Sequence, residues 1–177
     1  MRLFVAIRPP APVRDALLDT MDDDPGMRWQ GEDQLHLTLA FLGEVDPRAE
    51  EDLIDSLAAV YAPPFELTIR GSGHFEHKGV PSTLWAGLAS SEPLARLQAR
   101  VVAACRRAGA DPDRRNFHPH VTLARLGRSS PPVGGWLARH GMLAAGPWDV
   151  REFALYESRL APGGAHYEPL ARFSLRP

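Results

Sequence analysis

HLTLAFLG at residues 36–43 and HVTLARLG at residues 120–127 are two copies of one octet. Six of the eight positions are identical, and the copies start 84 residues apart (120 − 36). Each octet reads as a strand closed by a glycine, Gly43 or Gly127. Residues two apart in a strand share a face. His36 and Thr38 therefore point one way, as do His120 and Thr122. Leu35, Leu37 and Leu39 form the opposite, apolar face, which is expected to pack on helices. Threonine is stiff at χ1, so each octet offers an imidazole and a well-placed hydroxyl from a rigid platform. Two such strands near a twofold axis would surround one cleft with two imidazoles and two hydroxyls.

The rest of the chain supplies the frame. Residues 3–7 read as a buried strand ended by Pro9, Pro10 and Pro12. A helix follows, with Val13, Leu17 and Met21 at four-residue spacing. MDDDPGMRW (residues 21–29) reads as a turn, and residues 35–42 as the first octet strand. Asp46-Pro47 has the form of an N-cap and first helical residue, opening a helix to about residue 61 with Leu53, Leu57 and Val60 inward. Strands are expected at 65–70 and 83–88, joined by the loop GSGHFEHKGVPS. A long helix spans about 92–108, with Leu94, Leu97, Val101 and Cys105 as its buried stripe and Gly109 as its C-terminal cap. The second octet strand (121–126), a short helix near Trp136, and strands at 150–156 and 167–175 complete the chain. Interleaved strands and helices mean α/β or α+β. The pattern of strand, helix and octet strand occurs twice, so two related lobes about a pseudo-twofold axis, sharing one body across residues 1–177, are expected.

With 177 residues, the chain can bury a sizeable core. A formal net charge of −2 gives no overall case for long-range capture of nucleic acid, so any such contact is expected to be local. One cysteine, Cys105, rules out an internal disulfide and fits a reducing compartment. The apolar run at residues 3–7 is too short for a signal peptide, and no run approaches the ~18 residues of a membrane span. A cytoplasmic protein with no membrane partner is the expectation.

Two histidines permit one general base and one general acid, because a pKa near ~6.5 lets one be neutral while the other is protonated. Two hydroxyls can donate to non-bridging oxygens where charge builds up. That set suits hydrolysis of a phosphodiester by direct attack of water, with no metal and no cofactor. There is no Walker-type loop and no Gly-x-Gly-x-x-Gly.

The paired His-x-Thr-x motifs resemble the 2H phosphoesterase superfamily. HLTLAFLG and RNFHPHVTLARLG, with RLFVAI, TLWAGL, FALYES and YEPLARFSL elsewhere, are similar to its RNA 2′,3′-cyclic phosphodiesterase branch, also called 2′-5′ RNA ligases. The resemblance implies an α+β, bilobal fold around a central cleft, with antiparallel sheets and outer helices. It implies opening of a terminal RNA 2′,3′-cyclic phosphate to a 2′-phosphomonoester, with 2′-5′ joining of RNA ends as a weak reverse reaction. By the same resemblance His36 is the general acid and His120 the general base, although near-symmetry leaves the two roles exchangeable from sequence. Thr38 and Thr122 would hold the phosphate. Phe41 as a base-stacking surface and Arg125 as a phosphate contact occupy the sixth octet position, which strand parity turns away from the histidine. A bulge is required to bring them back.

His118 has no counterpart in the first octet, where Gln34 stands. It is expected to fix the entry to the strand or to line the cleft rim. A His118–His120 metal pair is the alternative, but it has no nearby carboxylate or cysteine companion. His74 and His77 are expected in a solvated loop, His140 at a helix end and His166 in a turn. Trp85 and Cys105 read as core, and RRAGADPDRR (residues 106–115) as a solvated surface. The expected partner is RNA with a 2′,3′-cyclic phosphate end or a cyclic nucleotide, bound by a monomer. Two other readings remain: the same chemistry on a small nucleotide such as an ADP-ribose cyclic phosphate, and a non-catalytic RNA-end binding module.

Overall fold

The structure, a computed structural model, describes residues 1–21 and 26–177. Its strands are β1 (Arg2–Ile7), β2 (Arg28–Trp29), β3 (Leu37–Glu44), β4 (Phe65–His77), β5 (Val80–Leu88), β6 (His120–Arg125), β7 (Ala144–Val150), β8 (Glu152–Ala161) and β9 (Gly164–Ser174). The helices are α1 (Ala11–Leu18), α2 (Glu50–Ala58), α3 (Glu92–Arg107) and α4 (Gly134–His140). All strand pairs are antiparallel, so the fold is α+β.

The strand order is β7-β4-β5-β6-β3-β1-β8-β9, with β2 added beside β6. The octet strands β3 and β6 are neighbours at the centre, and the order on either side of them is mirrored. Strand β1, helix α1 and β3 on one side match β5, α3 and β6 on the other. The strand after α2 is β4, yet it pairs with β5; β8, late in the chain, pairs with β1. Each half of the chain thus gives a strand to the other half's sheet. That exchange explains why the sequence contains no linker.

The apolar sides of β1, β3, β5 and β6 pack on α2 and α3, with Leu37, Leu39, Val121 and Leu123 buried beside Leu53, Leu57, Leu97 and Val101. Helix α3 forms where the heptad-like stripe predicts. Ser91 caps it by accepting from the Leu94 N–H, Pro93 sits in its first turn, and Gly109 leaves it at φ 84°. Cys105 lies within this core, and burial pushes its thiol up to about 12. It is inert as a nucleophile.

Several expected boundaries move. The loop foreseen at 71–82 is strand on both sides of a two-residue turn, Lys78-Gly79, with φ 52° and 78°. Two positive φ values match the twist of a hairpin, and here they let β4 and β5 run far past the glycines. His74 and His77 are therefore strand residues. His166 is likewise in β9 rather than a turn, and β2 and β7 are additional strands. The helix foreseen from Pro47 begins as a 3₁₀ turn, Pro47–Ala49, capped by Asp46. The turn foreseen at 21–29 includes Asp22, Asp23, Asp24 and Pro25, which lie outside the described residues. No helix among the described residues is long and apolar enough to cross a membrane.

Candidate active site

The centre of the sheet is held by one bridge between the octets, Leu37 opposite Val121. That register sets His36 across from Thr122, and Thr38 across from His120. Each histidine thus faces the other motif's threonine. The two histidines are diagonal neighbours, a relation that spaces Cβ atoms by roughly 7–8 Å in a regular sheet. His36 itself precedes β3, where the chain leaves the short 3₁₀ turn Glu32–Gln34.

Both octet strands carry a bulge at the same octet position. In β3, Thr38 pairs with Ala6 while Ala40 pairs with Val5, which leaves Leu39 extra. In β6, Thr122 pairs with Trp85 while Ala124 pairs with Leu84, which leaves Leu123 extra. The two carbonyls released from the ladder are satisfied elsewhere. Gln98 Nε2 of α3 donates to the Leu39 carbonyl at 3.2 Å, and the Gln30 N–H donates to the Leu123 carbonyl at 2.8 Å. A bulge reverses strand parity. Phe41 consequently returns to the face of Thr38, and Arg125 to the face of Thr122. Both line one cavity of about 1180 Å³ together with His36, Thr38 and Thr122.

The two histidines have parallel surroundings. Tyr156 of β8 meets His36 edge-on at 4.6 Å, and Phe75 of β4 meets His120 edge-on at 4.9 Å. These rings come from the two exchanged strands, at matching registers: Tyr156 opposite Phe4, Phe75 opposite Thr83. Neither ring was foreseen. The only signal in sequence is their alternation along strands that run beyond their apparent limits.

The polar partners differ. His120 Nδ1 donates to the His118 carbonyl at 2.7 Å, which leaves Nε2 as an acceptor. Burial lowers the His120 pKa; the His118 carbonyl opposes this, and the His118 and Arg125 side chains add to it. His36 is only 7% exposed, and neither of its ring nitrogens has a hydrogen-bond partner among the described residues. Its pKa is pushed down to about 4, first by burial; Arg8 and Arg14 add to this, while the Gln34 backbone and Asp33 oppose it. His36 is therefore neutral at pH 7.

Residues 9–161 match the 2′-5′ RNA ligase superfamily. The chain belongs to that superfamily. It is 38% identical over 193 aligned residues to an RNA 2′,3′-cyclic phosphodiesterase of Thermus thermophilus, covering 99% of this chain and 91% of that one. An RNA 2′,3′-cyclic phosphodiesterase of Archaeoglobus fulgidus is 31% identical over 176 residues, with 98% and 99% covered. The crystal structure of E. coli LigT complexed with 3′-AMP superposes with a TM-score of 0.79 at 31% identity, over 98% of this chain and 97% of that one.

Within this member of the superfamily, the cavity wall is more basic than the net charge suggests. Arg2, Arg28 and Arg125 line it, and none of the three has a carboxylate partner among the described residues. Arg2 lies over the Phe41 ring at 5.2 Å from its centroid. Many outward arginines are neutralised instead, including Arg114 by Asp111, Arg115 by Asp113, Arg151 by Asp149 and Arg172 by Glu152. The stretch RRAGADPDRR is thus a solvated, internally paired surface. The hairpin of β8 and β9 overhangs the cavity, with Leu160 at its tip 93% exposed.

His118 stands outside that cavity. Its ring packs against Trp85 at 5.0 Å and Phe75 at 5.2 Å, and it lines a second cavity of about 520 Å³. Its carbonyl orients His120. Trp85 is half-buried, with its ring across Gly73, and belongs to this aromatic wall rather than to the core. Among the described residues no three His, Cys, Asp or Glu side chains gather as a metal site.

Proposed function

We infer that the protein opens the terminal 2′,3′-cyclic phosphate of RNA to a 2′-phosphomonoester, with His36 and His120 as acid and base. The observation that carries this is the central bridge, which sets two bulged His-x-Thr strands side by side with each histidine across from the other's threonine. The relatives named above as RNA 2′,3′-cyclic phosphodiesterases support the same chemistry.

In this reaction His120 Nε2 takes a proton from water, which attacks phosphorus. The bond from phosphorus to the 3′ oxygen breaks, and His36 protonates that oxygen. The bond to Nδ1 favours His120 as base, since it fixes the tautomer with Nε2 unprotonated. His36 suits the acid role because the substrate phosphate supplies a counter-charge that favours its protonated form. Thr38 and Thr122 donate to the non-bridging oxygens. Arg125 pairs with the phosphate, and Phe41 stacks on the base.

Three cavity arginines without a carboxylate partner among the described residues favour a polynucleotide end over an isolated small nucleotide. Both motifs come from one chain, so a monomer suffices. A reducing cytoplasm suits its single, buried thiol. The test is incubation with a 2′,3′-cyclic nucleotide in EDTA, followed by identification of the phosphate position. A 2′-monophosphate is expected; a 3′-monophosphate, or no turnover, defeats the assignment.

A further inference from the structure

The two halves of the site differ in one respect. The pseudo-twofold relation matches Gly87, opposite His120, to Arg8, the position across from His36. On the His36 side, that position carries an arginine whose guanidinium is paired with Asp33 at 3.4 Å. On the His120 side, that position is a glycine, and it lines the second cavity. Gly87 tolerates little else: a Cβ would come within 2.7 Å of the Arg70 carbonyl. The cavity is walled by Trp85 and His118, floored by Gly87, and bordered by Arg70, Ser72 and Ala95. Arg70 is exposed and has no carboxylate partner among the described residues. A volume of about 520 Å³ suits one nucleotide.

We propose that this second cavity is the acceptor subsite for a 5′-hydroxyl RNA end, whose first nucleoside stacks on Trp85 and His118 and whose next phosphate meets Arg70. The proposal rests on His120 being the base. An alcohol that replaces water must approach from the base's side, and the cavity adjoins that side through His118, whose ring centre is 6.2 Å from that of His120. The 5′ oxygen forms a bond to phosphorus while the bond from phosphorus to the 3′ oxygen breaks. The 5′-hydroxyl proton goes to His120 Nε2, and His36 gives its proton to the 3′ oxygen. The product is a 2′-5′ phosphodiester, with no other reactant consumed. Aromatic walls hold nucleobases without regard to sequence, and a guanidinium suits a phosphodiester. Partition between water and the alcohol would then be set by residues outside the hydrolytic centre.

The test compares two reactions of the same full-length protein. One is hydrolysis of a 2′,3′-cyclic mononucleotide. The other is interconversion of a 2′-5′-linked oligoribonucleotide with its cyclic-phosphate and 5′-hydroxyl halves, followed in both directions. Arg70→Glu removes the phosphate contact, and Ala95→Trp fills the cavity from an exposed helix position. Both variants are expected to lose at least tenfold in joining and in cleavage of the 2′-5′ bond, while mononucleotide turnover stays within twofold. That turnover also reports that each variant is folded. Equal loss of both reactions, or unchanged joining in both variants, overturns the proposal. So does a wild-type protein that hydrolyses the mononucleotide yet neither makes nor breaks the 2′-5′ bond. A wild-type protein that fails to hydrolyse the mononucleotide sinks the hydrolase assignment itself, and the subsite with it.

Discussion

His120 Nδ1 donates to the carbonyl of His118, two residues earlier on the same chain, at 2.7 Å. The bond uses the main chain of the residue two before the histidine, a place held by Gln34 before His36, whose backbone likewise raises the pKa of His36. It pins the ring and presents Nε2 as an acceptor. His36 has two ring nitrogens without a hydrogen-bond partner among the described residues, set among aromatic rings. The bulges at Leu39 and Leu123 turn the sixth octet residues toward the cavity. Without them the sixth octet residues would face the core, and the cavity would lack Phe41 and Arg125.

Replacement of either histidine is expected to stop the chemistry. His36→Ala and His120→Ala should each lower kcat for a 2′,3′-cyclic nucleotide by at least ~10²-fold, the lower range of general acid–base contributions. The double variant should lose little more than the worse single one, since the two groups act in one concerted step. Thermal unfolding should show all three folded. Near-normal turnover by either single variant would refute the paired mechanism.

The pH dependence follows from burial. Both histidines have lowered pKa values in the free protein, and that of His36 is about 4. Both limbs of the kcat/KM profile should therefore lie below the ordinary imidazole range, reported as apparent values of the pair. A phosphate anion in the cleft favours the charged form of His36, so substrate must bring a proton with it. The alkaline limb of kcat should then lie above that of kcat/KM. Calorimetric titration of a phosphate-bearing product near pH 6 in two buffers of different ionisation enthalpy should register proton uptake. No uptake would mean that His36 does not become the acid.

Much of this was legible in the octets. Their leucines bury as periodicity demands, α3 begins and ends at its cap residues, and three of the four catalytic candidates lie on neighbouring central strands, with His36 just before β3. What stayed hidden has two physical sources. Bulges depend on partners far away in sequence: the Leu39 carbonyl is satisfied by Gln98, and the Leu123 carbonyl by Gln30, and no local pattern announces either. Hairpins were the second. The glycine-rich stretch before Lys78-Gly79 reads as loop because glycine weakens strands in isolation, yet Gly73 is needed to let the Trp85 ring pass. A Cβ there would lie 2.4 Å from that ring. Strand exchange between the halves is also invisible locally, and it brings in Phe75 and Tyr156.

Stability should pay attention to the same burial. The His36 pKa falls from about 6.5 unfolded to about 4 folded. Between those values the unfolded chain binds more protons than the folded one, so stability is lost as pH falls through the window. His120, shifted in the same direction, adds to the loss. His36→Leu removes one titrating group and two buried, unpaired nitrogens. It should be inactive yet more stable than wild type at pH 7, and its advantage should widen from pH 6.5 to pH 4. Chemical denaturation at a series of pH values measures this. A constant difference across that range would show that His36 is not held neutral by burial.

The last expectation concerns what the cleft selects. Arg2 and Arg28 lie in the cavity without carboxylate partners among the described residues, whereas much of the outer surface neutralises its arginines. A cyclic mononucleotide carries one phosphate, which Arg125 and the two threonines already serve. An oligonucleotide brings further phosphates, and those are what Arg2 and Arg28 are free to meet. Arg2→Ala should therefore raise KM about tenfold for a cyclic-phosphate trinucleotide, the cost of one charge-assisted contact of roughly 1.4 kcal/mol. For the cyclic mononucleotide the change should be slight. Each phosphate neutralised on a single strand contributes roughly −0.7 to the slope of log affinity against log salt. The variant's trinucleotide should accordingly show a shallower salt dependence than wild type, by about one such contact. Equal KM effects on both substrates, with the salt slope unchanged, would mean that Arg2 serves Phe41 alone and that the cleft does not follow the RNA backbone.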